Sequence, residues 1–238
     1  MKIRLDKLLA NMGESSRSDV KKLIKYGRIS VDGEIVKNAA MQVEEGQKVF
    51  FDGREILYRQ YVYIMMNKPQ GVISATEDNR DKTVIDLLDE KYLIWNLFPV
   101  GRLDKDTEGL LILTNDGQLS HNLLSPKKHI PKTYYARVDG TVTQEDIEAF
   151  KAGVELDDGY KTLPADLSIL KSSYVSEIKL TIMEGKFHQV KRMFEAVGKK
   201  VTYLKRISMG KIMLDESLKL GEYRELTYEE LELLREGR

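Results

Sequence analysis

The 238-residue chain contains no cysteine, which excludes a disulfide framework and thiolate metal sites and suits a reducing compartment. Histidine is nearly as scarce. Its three copies, His121, His129 and His188, are too widely spaced to read as a metal-ligand cluster. No apolar run approaches the roughly 18 residues that a membrane span requires, and Met1-Lys2-Ile3-Arg4-Leu5-Asp6 lacks the apolar core of a signal peptide. These absences point to a cytoplasmic location. Low-complexity segments and internal repeats are missing as well. So is net charge, because 38 basic side chains balance 38 acidic ones.

The balance is not local. Residues 1–30 hold eight Lys/Arg against three acids, and residues 186–211 hold eight against Glu195 alone. Residues 212–238 reverse this, with four basic and eight acidic side chains. Two basic segments in a neutral chain indicate a polyanionic partner met at two places. At this length one or two domains are expected, and 42% hydrophobic with 32% charged residues is ordinary for a globular fold.

Residues 1–36 predict a compact unit. Leu5, Leu8, Leu9 and Met12 share a helical face, with Gly13 as a stop. Ser15 or Ser16 caps a second helix whose Val20, Leu23 and Ile24 face inward, and Gly27 ends it. Asp32-Gly33 between alternating apolar residues predicts a hairpin. Arg4, Lys7, Arg17, Lys21, Lys22, Lys25 and Arg28 are left exposed, a set able to grip phosphates. A merely well-solvated basic helix pair accounts for the same pattern. The order and residues, including Arg4-Leu5-Asp6 and Val31-Asp32-Gly33, resemble the S4 RNA-binding domain. Residues 37–58 continue it with two more short strands. Tyr58-Arg59-Gln60 reads as a linker, which divides the chain into domains 1–59 and 60–238.

In the second domain, residues 61–66 read as a strand and 67–71 as a turn. Thr83 with Asp86 predicts a capped helix over 84–90, and 123–131 reads as a basic loop. Residues 132–138, 154–183 and 199–226 are strand-like. Helices are expected after Thr143, from Phe187 or His188, and after Thr227, where Glu230 completes a capping box. Strands dominate without βαβ regularity, so the class is α+β, with a mixed, mostly antiparallel sheet and flanking helices.

The chemistry concentrates at Gly101-Arg102-Leu103-Asp104-Lys105-Asp106-Thr107-Glu108-Gly109, a charged loop between two apolar runs. A tight polar loop held by buried strands is a natural place to fix one reactive carboxylate. An ordinary solvated hairpin loop reads the same way. Aromatic and basic side chains interleave at Lys132-Thr133-Tyr134-Tyr135 and at Lys186-Phe187-His188, a pattern suited to stacking an unpaired base. Each stretch also fits core aromatics beside surface lysines.

Gly101 to Asp104 with Asp106-Thr107-Glu108-Gly109-Leu110-Leu111 and Thr114-Asn115-Asp116-Gly117 resembles the catalytic motif of the RsuA-like ribosomal RNA pseudouridine synthases. Lys132-Thr133-Tyr134 resembles the second motif of that family, and Gly185-Lys186-Phe187-His188-Gln189-Val190-Lys191-Arg192-Met193 resembles the third. The S4-like module in front completes the layout. The resemblance implies isomerisation of a uridine in rRNA, free or in an assembly intermediate, the small-subunit 16S type in preference to 23S. It also implies no metal and no organic cofactor. Nothing in the sequence suggests an obligate oligomer, so a monomer is expected. Asp104 matches the essential aspartate, which either adds to the sugar, stabilises it, or removes its C2′ proton. Tyr134 matches a tyrosine that stacks on the base, and Lys186 a cation paired with the aspartate, with Lys191 and Arg192 close by. Val190 would wall the base pocket, His188 would contact RNA, and Arg102 would bind phosphate or fill the gap left by a flipped uridine.

Two other functions fit parts of the pattern. A glycoside hydrolase also uses paired carboxylates, but no aromatic platform lies between Gly101 and Gly117. A non-catalytic S4-type rRNA-binding or assembly protein would need no carboxylate loop at all.

Overall fold

The structure is a computed structural model that describes residues 2–12, 16–44, 46–56 and 58–236, so Gly13 and Ser15, the expected stop and cap, lie outside the described residues. The chain forms two compact units, Met1–Tyr61 with Asp89–Asn96 and Val62–Leu88 with Leu97–Arg238.

The first unit begins with β1 (Lys2–Arg4), α1 (Leu5–Asn11) and α2 (Arg17–Lys25). Ser16 caps α2 by accepting the Asp19 N–H at 3.2 Å. Leu5, Leu8 and Leu9 of α1 bury against Val20 and Ile24 of α2, as the apolar spacing requires. The hairpin β2 (Ile29–Val31) and β3 (Glu34–Ile35) follows, then β4 (Gln42–Glu44), β5 (Val49–Phe51) and β6 (Arg54–Ile56). Three strands therefore follow the hairpin where the pattern indicated two. Of these, β4 buries only Val43 and pairs with β1 outside the β3-β2-β5-β6 sheet.

The second unit contains β7 (Tyr63–Lys68), β8 (Phe98–Pro99), β9 (Glu108–Thr114), α3 (Gly117–Leu124), β10 (Lys132–Asp139), α4 (Gln144–Ala152), β11 (Asp166–Lys171), β12 (Val175–Ile182), α5 (Gln189–Ala196), β13 (Lys200–Met209), β14 (Ile212–Met213), β15 (Tyr223–Glu225) and α6 (Tyr228–Glu236). Nine strands make one mixed sheet in the order β11-β12-β10-β13-β9-β7-β15, with β14 on β13 and β8 on β9. Every pairing is antiparallel except β9 with β13, which runs parallel over Glu108↔Lys205 and Gly109↔Arg206. That short parallel join fuses the two halves of the sheet. Every residue of β9 is buried: Leu110 and Ile112 enter a core with Leu119 and Leu123 of α3 and Leu234 of α6, and alternation sends Leu111 and Leu113 to the opposite face. Phe150 of α4 meets Phe194 of α5 edge-on, with centroids 4.9 Å apart. Among the described residues no helix is long and apolar enough to cross a membrane.

Three local expectations change. Residues 67–68 belong to β7 and not to a turn, since Asn67 and Lys68 pair with Leu110 and Gly109. The helix over 84–90 shrinks to a 3₁₀ turn, Ile85–Leu87, although Thr83 and Asp86 still exchange the expected contacts at 2.7 and 3.3 Å. Asn115-Asp116-Gly117, a turn signal in sequence, opens a helix instead, because Asp116 Oδ1 accepts the Leu119 N–H at 3.0 Å and caps α3.

Candidate active site

The charged loop spans β8 to β9, which are paired at Phe98↔Thr114 and Pro99↔Leu113. Its shape comes from hydrogen bonds that the loop sequence alone does not reveal. Thr107 N–H donates to the Asp104 carbonyl at 3.0 Å, closing a tight turn. Ser74 Oγ donates to the Leu103 carbonyl at 2.9 Å and accepts the Leu103 N–H at 3.0 Å. Beneath the turn lies Lys68, fully buried, whose ammonium donates to the carbonyls of Pro69, Asp104 and Thr107, each at 3.0 Å. All three of its donors are used. Burial pulls its pKa down to about 8, against the nearby Asp104, Asp106 and Glu108 carboxylates.

The second wall comes from the start of α5. Buried Glu184 accepts the Leu163 N–H at 2.9 Å and the Gln189 Nε2–H at 2.7 Å, while Gln189 Oε1 accepts the Lys186 N–H at 2.8 Å. This lattice fixes the turn into the helix. His188 sits at the N-cap with φ +48°, a left-handed conformation that a non-glycine residue rarely adopts and that clusters at functional sites. The register sends Lys191 toward the loop, where its Nζ lies 3.1 Å from Asp104 Oδ2 and 2.6 Å from Asp106 Oδ1. His188 Nε2 stands 3.6 Å from Asp104 Oδ1. Burial opposes the charge of Lys191, yet the Asp106 and Asp104 carboxylates win and hold its pKa above the usual lysine range. Burial likewise opposes the charge of Asp106, and Lys191 overrides it to hold Asp106 below the usual carboxylate range.

Between these walls is a cleft of about 110 Å³ lined by Asp104, Lys132, Tyr134, Val190, Leu204 and Arg206, among others. Tyr134 is 8% exposed and Val190 4%, so one aromatic and one aliphatic wall face an ionic pair. Such a slot accepts a flat, partly polar ring and presents it to one carboxylate.

The sequence matches the RNA pseudouridylate synthase family over residues 62–196 and the S4 domain over residues 3–49. The chain belongs to the RNA pseudouridine synthase family. An uncharacterised RNA pseudouridine synthase of Bacillus subtilis is 54% identical over 98% of this chain and 99% of its own length. The ribosomal small subunit pseudouridine synthase A of Escherichia coli K12 is 42% identical over 96% of this chain and 98% of its own. A crystal structure of a pseudouridylate synthase, 40% identical, superposes with a TM-score of 0.69 over 98% of this chain and 99% of that one. The enzyme assignment and the S4-plus-synthase fold stand on these matches, and they set aside the hydrolase and pure-binder readings.

In this pseudouridine synthase the sequence-selected residues separate into groups. Asp104, Tyr134, Val190, His188, Arg102 and Lys186 all line the cleft, and Lys191 meets Asp104. Lys186 is not the partner of Asp104, since its Nζ lies over the Tyr160 ring at 4.4 Å and the register of α5 gives the pairing to Lys191. Arg192 turns away to pair with Asp157 and Asp158. In the S4 unit, Arg4 and Arg17 bridge buried Asp6 at 2.9 and 3.4 Å, Lys22 pairs with Asp19 and Arg28 with Asp52. The hydrogen bond from Arg4, reinforced by Arg17 against burial, pulls Asp6 down to about 2. Lys7, Lys21 and Lys25 are exposed and make no ion pair among the described residues.

Lys68, Ser74, Glu184 and Arg206 were not singled out from the sequence. Lys68 precedes a proline at the end of an apolar run, a context that reads as a surface turn. Arg206 sits in a strand crowded with other cations.

Proposed function

We propose that this enzyme converts one uridine of small-subunit ribosomal RNA to pseudouridine, with Asp104 as the essential carboxylate acting on a base flipped out of the RNA. The observation that carries the reading is Asp104 itself. It is held at the mouth of a cleft by Lys68 from below, ion-paired to Lys191, and faced by Tyr134 and Val190. The small-subunit assignment is supported by full-length similarity to enzymes named for that substrate.

The chemistry follows from the parts. Breaking the C1′–N1 bond leaves an electron-poor sugar beside Asp104, and the carboxylate, ion-paired to Lys191, adds to it or takes the C2′ proton. Tyr134 stacks on the freed uracil while the ring turns and rejoins through C5. Its 8% exposure keeps that face of the ring out of water. A paired uridine cannot enter so narrow a cleft, so the base leaves its helix first. Phe187, 73% exposed and stacked on His188 at 3.8 Å, offers a neighbouring base a platform. The exposed lysines of the S4 unit supply sequence-independent phosphate binding in the cytoplasm, where ribosomal RNA matures.

Pseudouridine mapping of rRNA from cells lacking this protein, complemented with wild type or Asp104→Asn, tests the reading. One small-subunit uridine should lose modification and regain it with wild type alone. Restoration by Asp104→Asn would remove the aspartate from the mechanism, and loss in large-subunit RNA would overturn the substrate.

A further inference from the structure

Arg206 lies on β13 directly opposite Tyr134 of β10 and lines the same cleft as Asp104. It is 2% exposed. Its Nε donates to the Leu110 carbonyl at 2.8 Å, but its Nη2 is buried with no hydrogen-bond partner among the described residues. A guanidinium keeps its charge at every pH a cell meets, so this donor bears an uncompensated desolvation cost. Lys132 stands two residues before Tyr134 on the same strand face and is 7% exposed, with Nζ donating to the Ile130 carbonyl at 2.9 Å. Burial, helped by the charge of Arg206, pulls its pKa down to about 8. Neither cation meets a carboxylate among the described residues. The sheet under the cleft therefore presents positive charge with no internal counter-ion, an arrangement complementary to an anion that arrives or forms there.

The proposed reaction forms one. When the C1′–N1 bond breaks, its electron pair leaves on the uracil, and the charge spreads over N1, O2 and O4. The pair returns through C5 when the new bond to C1′ forms, and the proton lost from C5 is matched by the one that ends on N1. No oxidant or reductant is needed. We infer that Arg206 binds a carbonyl oxygen of the detached uracil through Nη2 and stabilises its negative charge while the ring turns. This rests on the uridine-isomerising reading and assigns a role to a residue that reading leaves idle. Lys132 adds to the same field from beneath the ring.

Arg206 also clamps β9 through Leu110, so a loss of activity alone would not separate chemistry from structure. The electronic character of the leaving ring does separate them. Single-turnover rates of appearance of the C5-linked base are measured on small-subunit rRNA transcripts made with uridine or with 5-fluorouridine, whose departing ring is a weaker base and whose rearranged product keeps its fluorine because that C5 has no proton to lose. Arg206→Gln is expected to slow the uridine transcript about 100- to 1000-fold. On the 5-fluorouridine transcript the loss should shrink at least tenfold, because that ring needs less stabilisation. Arg206→Lys, which keeps a cation in place, should show a smaller loss with the same substituent dependence, and it carries the test if the Gln variant does not fold. Equal losses on both transcripts, or none, would overturn the inference and leave Arg206 as a strand clamp. If the wild-type enzyme leaves both transcripts unchanged, the substrate reading itself fails.

Discussion

Lys191 Nζ lies between two carboxylates of one loop, 3.1 Å from Asp104 and 2.6 Å from Asp106. The closer partner is the more exposed one, at 69% against 27% for Asp104. Solvent screening weakens the Asp106 contact, which leaves Asp106 as a tether that positions the cation and Asp104 as the group it serves.

Replacing Lys191 with Gln should therefore lower the isomerisation rate by about 100-fold or more, with little change in RNA affinity. Asp106→Asn should cost less than tenfold. The ion pair is present above the ordinary aspartate pKa of 3.8 and below the ordinary lysine pKa of 10.5, so across neutral pH the Lys191 defect should be constant. Single-turnover kinetics at several pH values measure both. An Asp106 defect as large as that of Lys191 would reverse the assigned roles.

Lys68 makes a prediction with opposite signs for stability and activity. Its folded pKa of about 8 lies below the ordinary 10.5, so between those values the unfolded chain binds more protons. Stability then rises with pH across that window as the burial cost relaxes. Activity should fall over the same range, since the neutral amine has one N–H fewer for the three carbonyls that shape the loop. Lys68→Met should destabilise the enzyme by about 2–4 kcal/mol and flatten the Lys68 part of the rise. Thermal unfolding from pH 7 to 10.5 reads the slope, to which Lys132 also contributes.

Gly109 holds the parallel join of the sheet. Its φ is +103°, and a Cβ there would collide with the backbone oxygen of Arg206 and sit 2.9 Å from the Arg206 nitrogen. Gly109→Ala should destabilise the fold by roughly 3 kcal/mol, because neither the backbone conformation nor the rigid neighbour can yield. Gly159→Ala, at a positive φ with open space around it, should cost about 1 kcal/mol. Chemical denaturation of the two variants tests the contrast.

RNA binding should divide by residue type. Lys21→Gln with Lys25→Gln should reduce the slope of log affinity against log salt by about 1.4 to 1.8, as expected for two lost phosphate contacts. Phe187→Ala should weaken binding by about 1–3 kcal/mol with the salt slope unchanged. Titrations at four salt concentrations distinguish them, and a changed slope for Phe187→Ala would argue against stacking.

The sequence by itself determined most of the local elements. Leu5, Leu8, Leu9, Val20 and Ile24 specified the S4 helices through spacing alone. Capping residues such as Ser16 and Thr143, with Asp146, and the Thr227–Glu230 box marked helix starts because their partners lie three residues away. The motif around Asp104 carried the family resemblance that the full-length relatives bear out. Tertiary structure alone decided which groups meet across distance. The partner of Asp104 is Lys191 and not Lys186, because α5, which begins at Gln189, turns Lys191 toward the loop, while Lys186 precedes the helix and lies over Tyr160. Lys68 reaches Asp104 across 36 positions, and Arg206 comes to face Tyr134 through strand register. No periodicity encodes such contacts. A lysine or arginine in a strand looks solvated in sequence, and only the sheet that closes over it makes it a buried cation.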